Sequence, residues 1–146
     1  WYSLREQQFK NYVKAILEQK GRNADLPLAL VDSLESRLDN VVFRLGFAPS
    51  RLAARQLVSH KSFLVNGKPV NLPARRINKG DVVSVVARKA SNAYFTQLKP
   101  ALKSQKPPLW LSLDADKIEG KRVGDPTLEE AMPPAEIGSV FEFYAK

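Results

Sequence analysis

Phe9, Tyr12, Val13, Ile16 and Leu17 recur three and four positions apart, which predicts an amphipathic helix over residues near 4–20 with Gly21 as its stop. Asp25 and Pro27 mark a second helical start. From there Leu30, Val31, Leu34, Leu38, Val41, Val42 and Leu45 carry one apolar stripe as far as Gly46. Arg37, Asp39, Asn40 and Arg44 lie off that stripe. Pro49-Ser50 opens a further helix, in which Ser50 is a good N-cap and Ala54, Leu57 and Val58 turn toward a core before the helix ends near His60.

After His60 the period changes. Phe63-Leu64-Val65 and Lys68-Pro69-Val70-Asn71-Leu72 flank Asn66-Gly67, a pair that supplies the positive φ angles of a type I′ turn. Pro69 lacks an amide hydrogen, so that arm is expected at a sheet edge. Arg75-Arg76 falls in the following loop, and Asn78-Lys79-Gly80-Asp81 turns the chain into a short strand, Val82 to Val86. Farther on, Ala93 to Lys103 reads as a short helix limited by Pro100, and Leu109, Leu111 and Leu113 alternate as a half-buried strand after Pro107-Pro108. Residues 119–138 read as loop with a short helix, and Val140 to Tyr144 as a terminal strand. The expected class is α+β. An N-terminal helical segment (1–35) precedes a helix–helix–β-hairpin module with a small antiparallel sheet (36–90), and a mixed C-terminal extension with short strands (91–146) packs back on the core.

Charge changes the picture more than composition does. The chain of 146 residues has a formal net charge of +8. The outer segments are nearly neutral, whereas residues 37–89 hold eleven basic side chains against two acidic ones, Asp39 and Asp81. A mixed charged surface has no need of such concentration, and the natural partner of the middle third is a polyanion. Arg51 and Arg55, four apart, share one helix face. Lys61 and Lys68 flank the hairpin, and Arg75, Arg76 and Lys79 follow it. The helix start at Ser50 offers backbone amides and a dipole to a phosphate.

Other chemistry is short of residues. With no cysteine and a single histidine, His60, neither a thiolate metal site nor a Ser-His-Asp triad can be assembled. A reducing compartment is the natural reading. Asp114 and Asp116 read as a solvated turn, and Gly67-Lys68 lacks the upstream glycine and following hydroxyl of a phosphate-cradling loop. No apolar run approaches the ~20 residues that span a bilayer. No signal-peptide pattern opens the chain, and its first residue, Trp1, reads as that of a truncated or processed chain. Neither an enzyme, a cofactor, a membrane nor a small-molecule substrate is expected. Charge alone does not separate DNA from RNA. The chain shows no recognition-helix pattern, zinc finger or zipper, and Phe63 alone does not make the paired aromatics of an RRM sheet. What remains is folded RNA read by phosphate contacts and shape, with Gln56, Ser59 and Asn66 available for 2′-hydroxyls or base edges.

The ordered series Arg37-Leu38-Asp39-Asn40-Val41-Val42-Phe43-Arg44-Leu45-Gly46-Phe47-Ala48, then Ser50-Arg51, Ala54-Arg55-Gln56-Leu57-Val58-Ser59-His60 and Val65-Asn66-Gly67, closely resembles the bacterial small-subunit ribosomal protein S-four family. Glu6 to Tyr12, Pro108 to Leu111 and Val140 to Tyr144 extend the likeness over nearly the whole chain. The resemblance implies a non-catalytic protein of the cytoplasmic ribosome that binds a multi-helix junction in the 5′ domain of small-subunit rRNA early in assembly. It also implies a place near the channel where mRNA enters, and contact with ribosomal protein S-five at an interface linked to decoding accuracy. Some members repress translation of their own mRNA. Ser50, Arg51, Arg55, Gln56, Ser59, His60, Asn66 and Gly67 inherit the RNA-facing role by position. Arg37, Asn40 and Arg44, which lie off the apolar stripe, and Lys61, Lys68, Arg75, Arg76 and Lys79, from the charge pattern, join them.

The alternative is a non-ribosomal RNA-binding protein with the same module, either stress-related or detached from an RNA-modifying enzyme. Pseudouridine synthases and tyrosyl-tRNA synthetases carry such a module beside a catalytic domain for which this sequence has no room. The sequence departs from the family in two respects. Nothing in it corresponds to the N-terminal extension that holds a cysteine zinc knuckle in many members, so RNA contacts made by that extension are not carried over. Lys61 stands where many relatives have Gly, and a positive φ there would strain the side chain. The hairpin reading yields a first test: Gly67→Val should lower the melting temperature, because a β-branched residue resists positive φ, and thermal unfolding followed by circular dichroism checks it.

Overall fold

The computed structural model describes Tyr2 and residues 4–20 and 26–131. Its elements run α1 (Glu6–Lys20), α2 (Leu26–Glu35), α3 (Leu38–Arg44), α4 (Arg51–Ser59), β1 (Phe63–Val65), β2 (Lys68–Val70), β3 (Val82–Val85), α5 (Ala87–Ala90), α6 (Ala93–Lys103), β4 (Leu111–Asp114), β5 (Glu119–Arg122) and α7 (Leu128–Ala131). The class is α+β. Two compact units divide the chain, residues 1–35 with 126–146 and residues 36–125. The Gly21 stop and the strand expected at Val140 to Tyr144 lie outside the described residues.

In the first unit Val13 and Ile16 of α1 meet Leu30 and Leu34 of α2 in a small apolar cluster that also encloses Tyr2. The Tyr2 hydroxyl donates to the buried carboxylate of Glu35, which gives the tyrosine's polar end a partner inside the cluster.

The long stripe expected to be one helix is two. Ser36 and Arg37 interrupt it, with Arg37 extended at φ −65°, ψ 141°. The interruption has partners from elsewhere in the second unit. Ile77 N donates to Ser36 O (2.7 Å), Arg37 forms an antiparallel bridge with Arg76, and the first amides of α3 donate outward, Leu38 N to Arg75 O (2.8 Å) and Asp39 N to Pro73 O (3.2 Å). The open amides of a helix start are thus capped by the 73–75 loop, which compensates the backbone bonds lost by breaking the helix.

The second unit is built on a five-stranded antiparallel sheet in the order β2-β1-β3-β5-β4. β2, with Pro69, lies at one edge as expected. Asn66 N donates to Val82 O and Val86 N to Ser62 O, so the even positions of this segment bond toward β3 and the odd ones toward β2. Pro69 pairs with Leu64 in register, and its nitrogen therefore faces away from the ladder. Phe63, Val65, Val83, Leu111 and the aliphatic residues of α3 and α4 share one core. Phe63 stacks on Phe47 (6.1 Å, 14° between planes) and meets Phe95 of α6 edge-on (6.1 Å, 87°).

Residues 119–122, read as loop from the sequence, form a strand in the middle of this sheet. Glu119-Gly120-Lys121-Arg122 has no apolar residue to alternate, because the two inward positions are Gly120 and Arg122. Gly120 makes room for α3. A Cβ there would lie 2.3 and 2.6 Å from the two Cδ atoms of Leu45. Gly120→Ala should therefore destabilise the fold by about 1–3 kcal/mol through overpacking, read from urea unfolding at constant m-value.

Candidate nucleic-acid interface

α4 owes its start to Ser50, whose Oγ accepts from Ala53 N at 3.0 Å. Ala54 and Val58 are buried, which turns Leu52, Gln56, Ser59 and His60 outward with Arg51 and Arg55 half-buried beside them. Arg51 is anchored rather than trailing. Its Nε donates to Asn40 Oδ1 (3.0 Å) and its guanidinium lies 4.8 Å from the centre of the Phe43 ring.

The turn from α4 into β1 explains position 61. Ser62 N donates to Leu57 O and Lys61 N to Val58 O, the paired bonds of a helix end whose next residue must be left-handed. Lys61 has φ +62° and is exposed. Lys89 of α5 closes the same turn, its Nζ donating to His60 O (2.5 Å) and Ser62 Oγ (3.3 Å) and placing a cation at the helix's negative end. At the hairpin tip Asn66 (φ +52°) and Gly67 (φ +80°) take the left-handed pair expected of Asn-Gly.

Three sequence-predicted contacts have other work. Arg37 is 4% exposed and Asn40 1%, so neither presents a side chain to a ligand. Arg37 forms a bidentate pair with buried Asp39 (3.1 and 3.0 Å), which offsets the desolvation of its guanidinium. Asn40 receives Arg51. The Asn66 amide is committed to the turn, its Oδ1 accepting from Val82 N (2.9 Å) and its Nδ2 donating to Asp81 Oδ1 (2.9 Å), so base reading by this amide gives way to shaping the hairpin. Asp81 in turn accepts from Asn78 N (2.8 Å), and Arg76 Nε donates to Asn78 Oδ1 (3.0 Å).

Apart from Arg44 at the end of α3, the remaining candidates lie on α4, on the turn after it, on the hairpin and on the loop that follows the hairpin. Gln56, Ser59, His60, Lys61, Gly67, Lys68, Arg75, Arg76 and Lys79 are exposed, with Arg44 half-buried. Two neighbours of these residues were not singled out from the sequence. Leu52, 59% exposed, stands on the outer face of α4 beside Arg55 and Gln56. Its place was legible, since it falls outside the Ala54/Val58 face. Lys89 bears on the turn only through the fold, and no local signal marks it. Among the described residues no cluster of metal-binding side chains occurs, and no helix is long and apolar enough to cross a membrane.

A helix pair leading into a hairpin, with an exposed cationic face, defines a nucleic-acid-binding module of the α+β class. Residues 36–83 match the S4 domain family. Over nearly its whole length the chain is similar to small ribosomal subunit protein uS4 from several bacteria. It is 43% identical to that of Legionella pneumophila over 146 residues, spanning 99% of this chain and 69% of the relative. It is 46% identical to that of Syntrophobacter fumaroxidans over 145 residues, spanning 99% and 68%. Caldicellulosiruptor saccharolyticus supplies a third relative at 41% over 145 residues. The chain belongs to the uS4 family, a family of ribosomal proteins and not of enzymes.

Lys61→Gly isolates the two consequences of the left-handed turn. It should raise stability by about 1 kcal/mol by removing Cβ strain and should flatten the salt dependence of RNA binding by roughly one counterion. Chemical denaturation and a binding titration at several ionic strengths measure the two separately.

Proposed function

We propose that this chain is a non-catalytic constituent of the small ribosomal subunit, in the cytoplasmic ribosome, which grips folded small-subunit rRNA with the module of residues 36–90. The observation that carries the reading is the match to the S4 domain across α3, α4 and the hairpin, the same elements that present the basic face. Ser50, Arg51, Arg55, Gln56, Ser59, His60, Lys61, Gly67, Lys68, Arg75, Arg76 and Lys79 form the gripping surface, with Arg44 at its margin. Arg37, Asn40 and Asn66 hold it in shape. Shape and phosphate contacts suit this surface, because its cations are spread over a helix, a turn and a hairpin instead of converging on one groove.

The finer reading follows the family resemblance. The RNA is a multi-helix junction bound early in assembly, and the protein lies near the mRNA channel in contact with ribosomal protein S-five, where it bears on accuracy. The near-neutral charge of residues 1–36 supports protein contacts there, since a segment without excess cation has little hold on phosphate.

Stoichiometric co-sedimentation with small subunits, followed by footprinting on small-subunit rRNA, tests the reading, and residence on large subunits alone would sink it. Arg51→Ala and Arg55→Ala should each weaken junction binding and lower the salt slope by roughly one counterion. Filter binding at several salt concentrations checks this, with thermal unfolding of Arg51→Ala to separate its bond to Asn40 from its contact with RNA.

A further inference from the structure

Beside the basic face lies an open groove of about 590 Å³, walled by the end of α3, the 46–49 loop, α6 and the segment after it. Phe43, Pro49 and Tyr94 give it flat apolar surfaces, while Arg44, Gln105 and Lys106 supply its polar margin. The volume falls in the range of pockets that hold one small organic group.

Tyr94 is placed in an unusual way. A tyrosine at a surface ordinarily buries its ring and leaves its hydroxyl in water. Here the hydroxyl donates to Phe47 O at 2.6 Å, and the residue is nevertheless 39% exposed. With the polar tip occupied, the ring is what Tyr94 offers the groove. Burial around the hydroxyl pushes its pKa up from the ordinary tyrosine value. Phe95 braces the ring edge-on (5.0 Å, 89°), and Asn92 caps the helix that carries both, its Oδ1 accepting from Phe95 N (3.1 Å). The opposite wall is fixed by Gln105. Its side chain lies against Gly46, where a Cβ would come within 2.8 Å, and its Nε2 donates to Arg44 O (3.4 Å).

A braced aromatic ring beside two cations is how proteins hold an unstacked base and its phosphate, because every base has a π-face and every nucleotide a charge. Pro49 lines the groove and the next residue, Ser50, caps α4, so the groove is continuous with the basic face and within reach of the same RNA. We infer that this groove receives a single unstacked nucleotide of the bound rRNA, its base against Tyr94 and its phosphate toward Arg44 and Lys106. The inference rests on the rRNA-binding reading and adds to it a site of a different kind, for one splayed base, where the α4–hairpin face meets the backbone.

The experiment uses the full chain and bacterial small-subunit rRNA as the probe. Tyr94→Leu should weaken binding roughly five- to a hundredfold, the range of one lost base–aromatic stack. Tyr94→Phe keeps the ring and loses only the bond to Phe47, and should bind within about twofold of the parent. Lys106→Ala should lower the salt slope by roughly one, and it decides the matter should Tyr94→Leu fail to fold. Ultraviolet crosslinking should yield a nucleotide adduct within residues 93–106. The groove proposal falls if the parent binds while Tyr94→Leu and Lys106→Ala match it in affinity and salt slope. It also falls if Tyr94→Phe loses as much as Tyr94→Leu, which would make Tyr94 a brace for Phe47 and not a platform. Normal binding of free rRNA by Tyr94→Leu, with failure to enter small subunits, would give the groove to a neighbouring protein and overturn the proposal. A parent chain that does not bind the rRNA overturns the wider reading as well.

Discussion

Arg122 lies 3% exposed inside the second unit, where its guanidinium must be matched donor by donor if the charge is to stay out of water. Its Nη1 donates to Ser36 Oγ (2.7 Å) and Ile77 O (2.6 Å), its Nε to Gly124 O (3.0 Å) and its Nη2 to Asp125 Oδ1 (3.3 Å), while the Trp110 ring lies 5.3 Å from it. Those partners come from the first residue of the unit, the loop after the hairpin, the approach to β4 and the exit from β5. The same loop caps α3, and α3 carries Asn40, the acceptor for Arg51. One guanidinium thus stands two steps behind Arg51, and its removal would take the donor from two buried acceptors, Ser36 Oγ and Ile77 O.

The arginines of this chain therefore divide by environment. Arg37 and Arg122 are interior groups paired with Asp39 and Asp125, and their charges add little to the field outside. Arg51 is intermediate, held by Asn40 and Phe43 while still at the surface. Lys61, Lys68, Lys79, Arg75 and Arg76 are exposed, and on the proposed reading these are the cations that release counterions from phosphate. A raw count of cations in the middle third therefore includes one, Arg37, that acts as a strut.

The elements written locally were legible in the sequence. Ser50 caps α4, Asn66-Gly67 makes the hairpin turn, Pro69 sits at an edge, and Ala93 to Lys103 is helical through Pro100. What escaped depends on distant partners. The break at Ser36-Arg37 is stabilised by bonds from Ile77, Arg75 and Pro73, which are distant in sequence, whereas the local stripe favours one continuous helix. β5 hides because its inward side chains are a missing one and a charged one. In the candidate site the residues grouped by charge and helix face are largely the exposed ones. Arg37, Asn40 and Asn66 are instead polar residues with partners inside the same module. Hydrophobic periodicity does not register such pairs, and only the fold reveals that they are occupied.

The outer strand of the hairpin has a consequence for the protein before it meets any RNA. An edge strand exposes a row of unpaired amides and carbonyls to which a second chain can add. In β2 that row is interrupted where an intruding strand would need a donor, since the nitrogen of Pro69 points outward and carries no hydrogen, and Lys68 beside it is exposed. The hairpin can therefore stay extended while remaining a poor template for its own kind. A newly made copy is protected from edge-to-edge self-association by the same short arm that the proposed reading makes part of the grip.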